Sequence, residues 1–255
     1  MNLNLSEHRV VVTAGAAGIG LAIATAFRNE GAQVWVCDVD ADALETLPHG
    51  VRGHVCDVSD RDALAAFIHG AAADMGGIDC LVNNAGIAGP TGRLEEIDPD
   101  GWDACLAVCL TGQFNALRAA IPYLRASANG SVANLSSLAG RVGFPLRTAY
   151  AAAKWGVIGL TKSLSRELGQ DGVRVNAVLP GLVSGDRQTR VLTAKAETEG
   201  VSFEEMQDRA FSYTSIKTYV SPEEIAAQIL YLASPYGRHI SGQALSVCGD
   251  TQMLT

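Results

Sequence analysis

No run in this sequence reaches the roughly 18 uninterrupted apolar residues that a membrane-spanning helix needs, so a membrane partner is not expected. The first ten residues carry Glu7, His8 and Arg9 where a signal peptide would be apolar, and export is not expected either. Lys and Arg are few and scattered, 19 among 255 residues, and the net charge is −8. Phosphate backbones are gripped by clustered bases, which argues against nucleic acid as a partner; an acidic carrier protein would be repelled as well. The six cysteines contain no C-x-x-C pair and do not alternate with histidine, so no metal is expected. Cys37, Cys56, Cys80, Cys105, Cys109 and Cys248 read instead as small buried hydrophobes of a reducing compartment, and the expected location is cytoplasmic. Charged residues make up only 18% against 48% apolar, the reverse of a disordered chain. Repeats, low-complexity tracts and Pro/Gly/Ser linkers are also missing, and 255 residues fit one domain, 1–255.

Short β-branched runs alternate with longer Ala/Leu-rich amphipathic segments. Strands are expected at 9–13, 33–38, 53–57, 78–83, 131–136, 174–178 and 244–247. Most are continuously apolar, as when helices cover both faces of a sheet. Helices are expected at 19–29, 61–73, 100–124, 150–168 and 222–233. Ser221, Pro222 and Glu224 mark the last start with an N-cap, a first-turn proline and a capping box. The alternation predicts an α/β fold, a parallel sheet of about seven strands with right-handed crossovers and helices on both faces. Residues 185–218 are more polar, carry few strand signals and read as an insertion placed to be a substrate lid.

Glycine is the one compositional excess, 27 residues against about 18 at average usage. Several cluster in T-A-G-A-A-G-I-G (13–20), where the first strand turns into a helix. Such a turn lets backbone approach a pyrophosphate seated on the helix N-terminus. Asp38 closes the second strand twenty residues beyond Gly18, where a carboxylate accepts hydrogen bonds from the adenosine ribose. That carboxylate would repel the extra phosphate of NADP, and no Lys or Arg in the loop or just after Asp38 would hold it. NAD is therefore the expected cofactor.

Tyr150 and Lys154 lie one turn apart on a single helix face. A free tyrosine, with a pKa of about 10, is a poor base at neutral pH. A close ammonium and a positively charged nicotinamide stabilise phenolate and make Tyr150 a usable general acid/base. Ser137, after the fifth strand, is placed to hydrogen-bond a reacting carbonyl or alcohol.

Together with C-D-V (56–58), N-N-A-G (83–86), N-L-S-S (134–137), Y-A-A-A-K (150–154), V-N-A-V-L-P-G (175–181) and I-S-G-Q (240–243), these features make the whole chain resemble the short-chain dehydrogenase/reductase family. The resemblance implies a Rossmann-type doubly wound sheet, usually in a homotetramer, that moves hydride between a nicotinamide and a carbonyl/alcohol pair. It implies that Ser137 orients the substrate oxygen, that Tyr150 transfers the proton, and that Lys154 binds the nicotinamide ribose and stabilises the phenolate. Ala14, Ala16, Ala17, Gly18 and Ile19 would form the cofactor loop, and Asp57 and Val58 would meet the adenine. Asn84, Ala85 and Gly86 would line the cleft, with Pro180 and Val183 toward the carboxamide.

Three positions depart from the family's pattern. Ala14 follows Thr13 where the family usually has glycine, and Gly185 stands where it often has a threonine that contacts cofactor. In C-L-T-G, Cys109 replaces the asparagine that the family associates with a helix kink and a water in the proton relay. Cysteine is a weak hydrogen-bonding group, and Cys109 reads as a buried helical thiol rather than a nucleophile.

Arg147, three residues before Tyr150, is a candidate clamp for a substrate carboxylate, and Arg187 and Arg190 add positive charge in the lid. The lid and tail look similar to those of family members that oxidise 2-keto-3-deoxy sugar acids, which points to the C4 hydroxyl of 2-keto-3-deoxy-L-fuconate or L-rhamnonate. A 3-oxoacyl-carrier-protein reductase, a polyol or hydroxysteroid dehydrogenase, and a non-catalytic NAD-sensing regulator stay open as alternatives. Residues 252–255 are placed by the resemblance where a tail reaches a neighbour's pocket.

Overall fold

The computed structural model describes residues 2–254. Seven strands, β1 (Arg9–Thr13), β2 (Gln33–Asp38), β3 (Val51–Val55), β4 (Cys80–Asn83), β5 (Ser131–Leu135), β6 (Arg174–Pro180) and β7 (Ala244–Val247), form one sheet in the order β3-β2-β1-β4-β5-β6-β7. Every ladder is parallel. Between them run α1 (Gly18–Asn29), α2 (Ala41–Glu45), α3 (Arg61–Met75), α4 (Pro99–Leu106), α5 (Gly112–Arg125), α6 (Thr148–Leu168), α7 (Asp186–Glu199), α8 (Phe203–Ser212) and α9 (Pro222–Ala233).

Alternation along β1 shows how the two faces fill. Val10 and Val12 join Ile23 and Phe27 of α1 and Ile225 and Ile229 of α9 on one side. Val11 points the other way, into the layer of Leu64 and Ile68 of α3, Leu117 and Leu124 of α5 and Leu168 of α6. Each such fully buried side chain contributes about 1.5–3 kcal/mol. Strand order reverses between β1 and β4, and a crevice opens at their carboxyl ends, the topological switch point of a doubly wound sheet.

Several boundaries differ from expectation. β3 stops at Val55, and the chain leaves the sheet where the Asp57 carboxylate accepts 2.8 Å hydrogen bonds from Ser59 N and Oγ. β6 runs past 178 to Pro180, because Leu179 and Pro180 still pair with Ser246 and Val247. The helix expected over 100–124 is broken by a π-helical turn at Ala107–Thr111, in which Gly112 N bonds back to Ala107 O. The continuous run Pro99–Arg125 is long and apolar enough to cross a membrane. Here its apolar face packs on α3, β4 and α6, while Asp100, Asp103 and Arg118 face solvent.

Residues 185–218 contain two helices. Gly200 (φ 68°) ends α7, and Ser202 caps α8 by accepting from Glu205 N at 3.1 Å. Leu192 and Ala196 of α7 meet Met206 and Ala210 of α8 and Leu182 in a small apolar cluster of their own.

Candidate active site

The loop after β1 is shaped by close approach. A Cβ on Gly15 would lie 2.5 Å from Val36 Cβ, and one on Gly20 would lie 2.0 Å from Ala14 O. Ala14 itself occupies the left-handed region at φ 51°. Its carbonyl accepts a 2.8 Å hydrogen bond from Asn84 Nδ2, which also donates to Thr13 O at 3.1 Å. Thr13 Oγ1 accepts in turn from the N–H groups of Asn84 and Ala85, both at 3.0 Å, so the ends of β1 and β4 are tied at the crevice. Asp38 braces the loop from β2 by accepting from Ala16 N at 3.1 Å.

α6 is set against the sheet by a buried ladder. Asn83 and Asn134 face each other across β4 and β5, and Asn83 Nδ2 donates to Asn134 Oδ1 at 2.9 Å. Asn134 Nδ2 donates onward to Thr161 Oγ1 of α6 at 3.0 Å. One face of α6 thus presents Tyr150 and Lys154 to the crevice. Lys154 is only 2% exposed, and its Nζ donates to Leu135 O at 2.8 Å. The Tyr150 ring is ringed by cations: its centroid lies 5.2 Å from Arg147 Cζ, 5.6 Å from Lys154 Nζ and 5.7 Å from Arg187 Cζ.

One cavity of about 690 Å³ joins these groups. Of the residues read from the sequence, Ala14, Ala17, Gly18, Ile19, Asp38, Asn84 and Gly86 line it from the first half of the chain. Ser137, Arg147, Tyr150, Lys154, Pro180, Val183 and Arg187 line it from the second. Ala16, Asp57, Val58 and Ala85 do not. Ala16 and Ala85 are buried behind the wall with their N–H groups spent on Asp38 and Thr13. Val58 is buried where a Cβ on Gly112 would come within 2.9 Å of it, and the Asp57 carboxylate is taken up by Ser59. Met253 and Leu254 of the tail line this chain's own cavity, whereas Thr255 lies outside the described residues.

The residues fit a dinucleotide. Ala17, the N-cap of α1, offers no side-chain cap and the first turn carries no acid, so the helix's leading N–H groups face the cavity unmet. Gly18, at φ 52° with nothing within 4 Å of where a Cβ would stand, leaves them open.

Arg147, the candidate carboxylate clamp, is one of the largest fully enclosed side chains, 2% exposed at the N-terminus of α6. Its Nη2 donates to Ala88 O at 2.5 Å, while Nε and Nη1 have no partner among the described residues. Burial pushes its pKa down, opposed by nearby Tyr150. Arg187 is differently employed: its end nitrogens donate to Gly86 O at 2.8 Å and Ile87 O at 3.1 Å, which pins α7 to the loop after β4.

Cys109 is buried at the π-helical turn, with Sγ 3.4 Å from Ile87 O. A hydrogen bond from Cys105 and the nearby Lys154 and Arg187 charges push its thiol down, against burial, while the same hydrogen bond, burial and the neighbouring Cys109 thiolate push that of Cys105 up. The break in the helix is present without asparagine, so the backbone itself makes it.

Two contributors escape a reading of the sequence. Thr13 stands there only as the start of the glycine loop. Lys195, on α7, lines the same cavity and is 0% exposed. The only signal is weak: Leu192, Lys195 and Ala196 share one helix face, but the lysine's charge argues for solvent, and the packing of α7 on α8 turns that face inward.

The comparisons with known proteins agree with this geometry. A family model described as enoyl-(acyl carrier protein) reductase matches residues 14–249. The chain is 36% identical to the 3-oxoacyl-[acyl-carrier-protein] reductase FabG of Thermotoga maritima, over 97% of this chain and 98% of that one. It is 33% identical to a D-beta-hydroxybutyrate dehydrogenase of Cupriavidus necator, over 96% and 98% of the two chains. Among solved structures, a single-substitution variant of actinorhodin polyketide ketoreductase with NADPH superposes with a TM-score of 0.89 at 33% identity, covering 96% of each chain. Sequence, fold and cleft lead to one conclusion: the chain belongs to the short-chain dehydrogenase/reductase family, oxidoreductases that act on CH–OH groups with a nicotinamide cofactor.

Proposed function

We propose that the protein is an NAD-dependent dehydrogenase of a small carboxylate-bearing sugar acid or hydroxy acid, with 2-keto-3-deoxy-L-fuconate and L-rhamnonate the first substrates to test. The observation that carries this reading is Arg147, buried beside the Tyr150 ring in the same cavity with two guanidinium nitrogens unmet. A desolvated guanidinium with free donors is built for an oxyanion.

The bound nicotinamide supplies the hydride acceptor. Ser137 holds the reacting oxygen by its hydroxyl, and Tyr150 Oη takes the alcohol proton as the carbonyl forms. Negative charge on that oxygen faces Lys154, Arg147 and Arg187, each within 5.7 Å of the ring centroid. Ala14, Ala17, Gly18, Ile19, Asn84, Gly86, Pro180 and Val183 hold the cofactor in this reading, and Ala16, Ala85 and Val58 back its walls; Asp57, exposed outside the cavity with its carboxylate on Ser59, reaches the adenine only from the cavity's rim. NAD is preferred over NADP because Asp38 and Asp40 both line the cavity and would repel a 2′-phosphate. Residues 185–218 act as the lid. The proposed assembly is a homotetramer, and the six free cysteines suit a cytoplasmic setting.

A carrier-linked 3-oxoacyl thioester is the second reading, favoured by the matching family model and the FabG relative. The deciding experiment follows NADH formation from NAD across sugar acids, hydroxy acids and their neutral polyol counterparts, with acetoacetyl thioester reduction alongside. Turnover of acids that is lost in Arg147→Ala establishes the first reading. Turnover of thioester or polyol alone overturns it.

A further inference from the structure

Lys195 is among the least accessible residues of the chain, at 0% exposure, and its Nζ has no hydrogen-bond partner among the described residues. It lies 4.7 Å from the centroid of Phe144, the ring that also carries Arg147 Cζ at 5.3 Å. Two buried cations therefore share one aromatic ring at one wall of the substrate cavity, both with unmet donors. Glu199, one turn further along α7, exerts its charge on Lys195 but forms its ion pair with Arg209, at 2.9 Å. No carboxylate of the described residues forms an ion pair with either cation, in a chain with 27 acidic residues. Burying two like charges without a counter-ion is costly, and the cation–π contact offsets only part of that cost. A structural role for Lys195 would be served as well by methionine, with no charge to bury.

We infer that Lys195 and Arg147 together hold the acid group of the substrate, so that the lid helix α7 closes on the substrate's own carboxylate. The inference rests on the acid-substrate reading above and adds a second, lid-borne arm to the site. The ligand chemistry is a compact oxyanion carried on a hydroxy or keto compound, a carboxylate or a sulfonate, with its reacting oxygen at Tyr150. Lys195 comes from α7 and Arg147 from α6, so the anion joins two elements, and the specificity for acids depends on the lid.

The test compares the wild-type protein with Lys195→Met, Lys195→Arg and Arg147→Met on an acid and its neutral counterpart, and adds malonate as a simple anion in thermal melts with NADH present. Losing one charged hydrogen-bond partner corresponds to roughly a tenfold or greater change. The expected result is a rise of that size in KM for the acid in K195M, a smaller change in kcat, and recovery in K195R to within about threefold. Malonate raises the melting temperature of the wild type and of K195R, but not of K195M or R147M. If K195M melts like the wild type in the absence of malonate and keeps its KM for the acid, the clamp is wrong while the reaction assignment stands. If malonate protection depends on both cations and yet no acid is turned over, the clamp stands and the reaction assignment falls.

Discussion

Lys154 and the end of β5 are bound reciprocally: Lys154 Nζ donates to Leu135 O, and Ser136 Oγ donates to Lys154 O, each at 2.8 Å. The ammonium is fixed at both ends of its own residue, one helical turn from Tyr150, and it needs no rearrangement when charge appears on the phenol oxygen. Preorganised charge of this kind is what lowers a barrier.

Tyr150→Phe removes the proposed proton carrier and leaves the cations in place. We expect kcat/KM to fall by about 10²–10⁴-fold, the range for a lost general acid/base. NADH binding, followed by fluorescence, stays within about threefold because the cleft walls are unchanged.

Ala14 pays a conformational penalty at φ 51° that glycine would not. Ala14→Gly is expected to stabilise the protein by about 0.5–1 kcal/mol, net of the added freedom of the unfolded chain. In a thermal melt this is a rise of about 2 °C. An unchanged or lower melting temperature contradicts it.

Asp38 braces the loop and, in the proposed NAD reading, repels a 2′-phosphate. Asp38→Ala should weaken NADH binding, since Ala16 N loses its partner, and should lower the preference for NADH over NADPH by about tenfold, or 1.4 kcal/mol. Parallel titrations of the two cofactors measure the ratio directly, and an unaltered ratio refutes the assignment.

Cys109→Asn restores the side chain that the family's pattern has at the break in the α4–α5 helix. Because the π-helical turn already exists with cysteine, the exchange should alter kcat/KM by less than about threefold, under 1 kcal/mol of barrier. A large gain would mean that the backbone alone serves the relay poorly.

Burial, with Arg147 adding to it and Glu199 opposing, lowers the Lys195 pKa to about 8. An anion seated against Lys195 favours the ammonium and raises that value. Binding at pH 8–9 should therefore take up protons, seen by calorimetry in buffers of different ionisation enthalpy. For the same reason kcat/KM for an acid should decline as pH rises beyond about 8, and the decline should be absent in K195R, whose guanidinium stays charged.

The sheet was legible because its strands are buried on both faces, as the V-V-V of β1 shows. Its boundaries were less so. β6 runs on to Pro180, since a proline at a strand's end gives up only one ladder bond. The break near Cys109 was signalled only by the family resemblance, which links that position to a helix kink, and not by composition or periodicity. Tyr150, Lys154 and Ser137 could be read from motif and spacing, which the one-turn separation on α6 reflects. Lys195 could not be read the same way: its charge places it outside by composition, and only packing of α7 on α8 buries it. The enclosure of Arg147 likewise depends on a long-range contact with Ala88 that no local pattern encodes.

The ladder from Asn83 through Asn134 to Thr161 also polices how the sheet is assembled. A one-residue slip of β5 against β4 would turn Asn134 to the opposite layer and strand two amides in apolar surroundings, each without its partner. Parallel sheets form slowly, through contacts distant in sequence. Here a mis-registered intermediate carries its own penalty at the two central strands, and the correct register is the one in which Thr161 also docks α6, so strand alignment and placement of Tyr150 are proofread together.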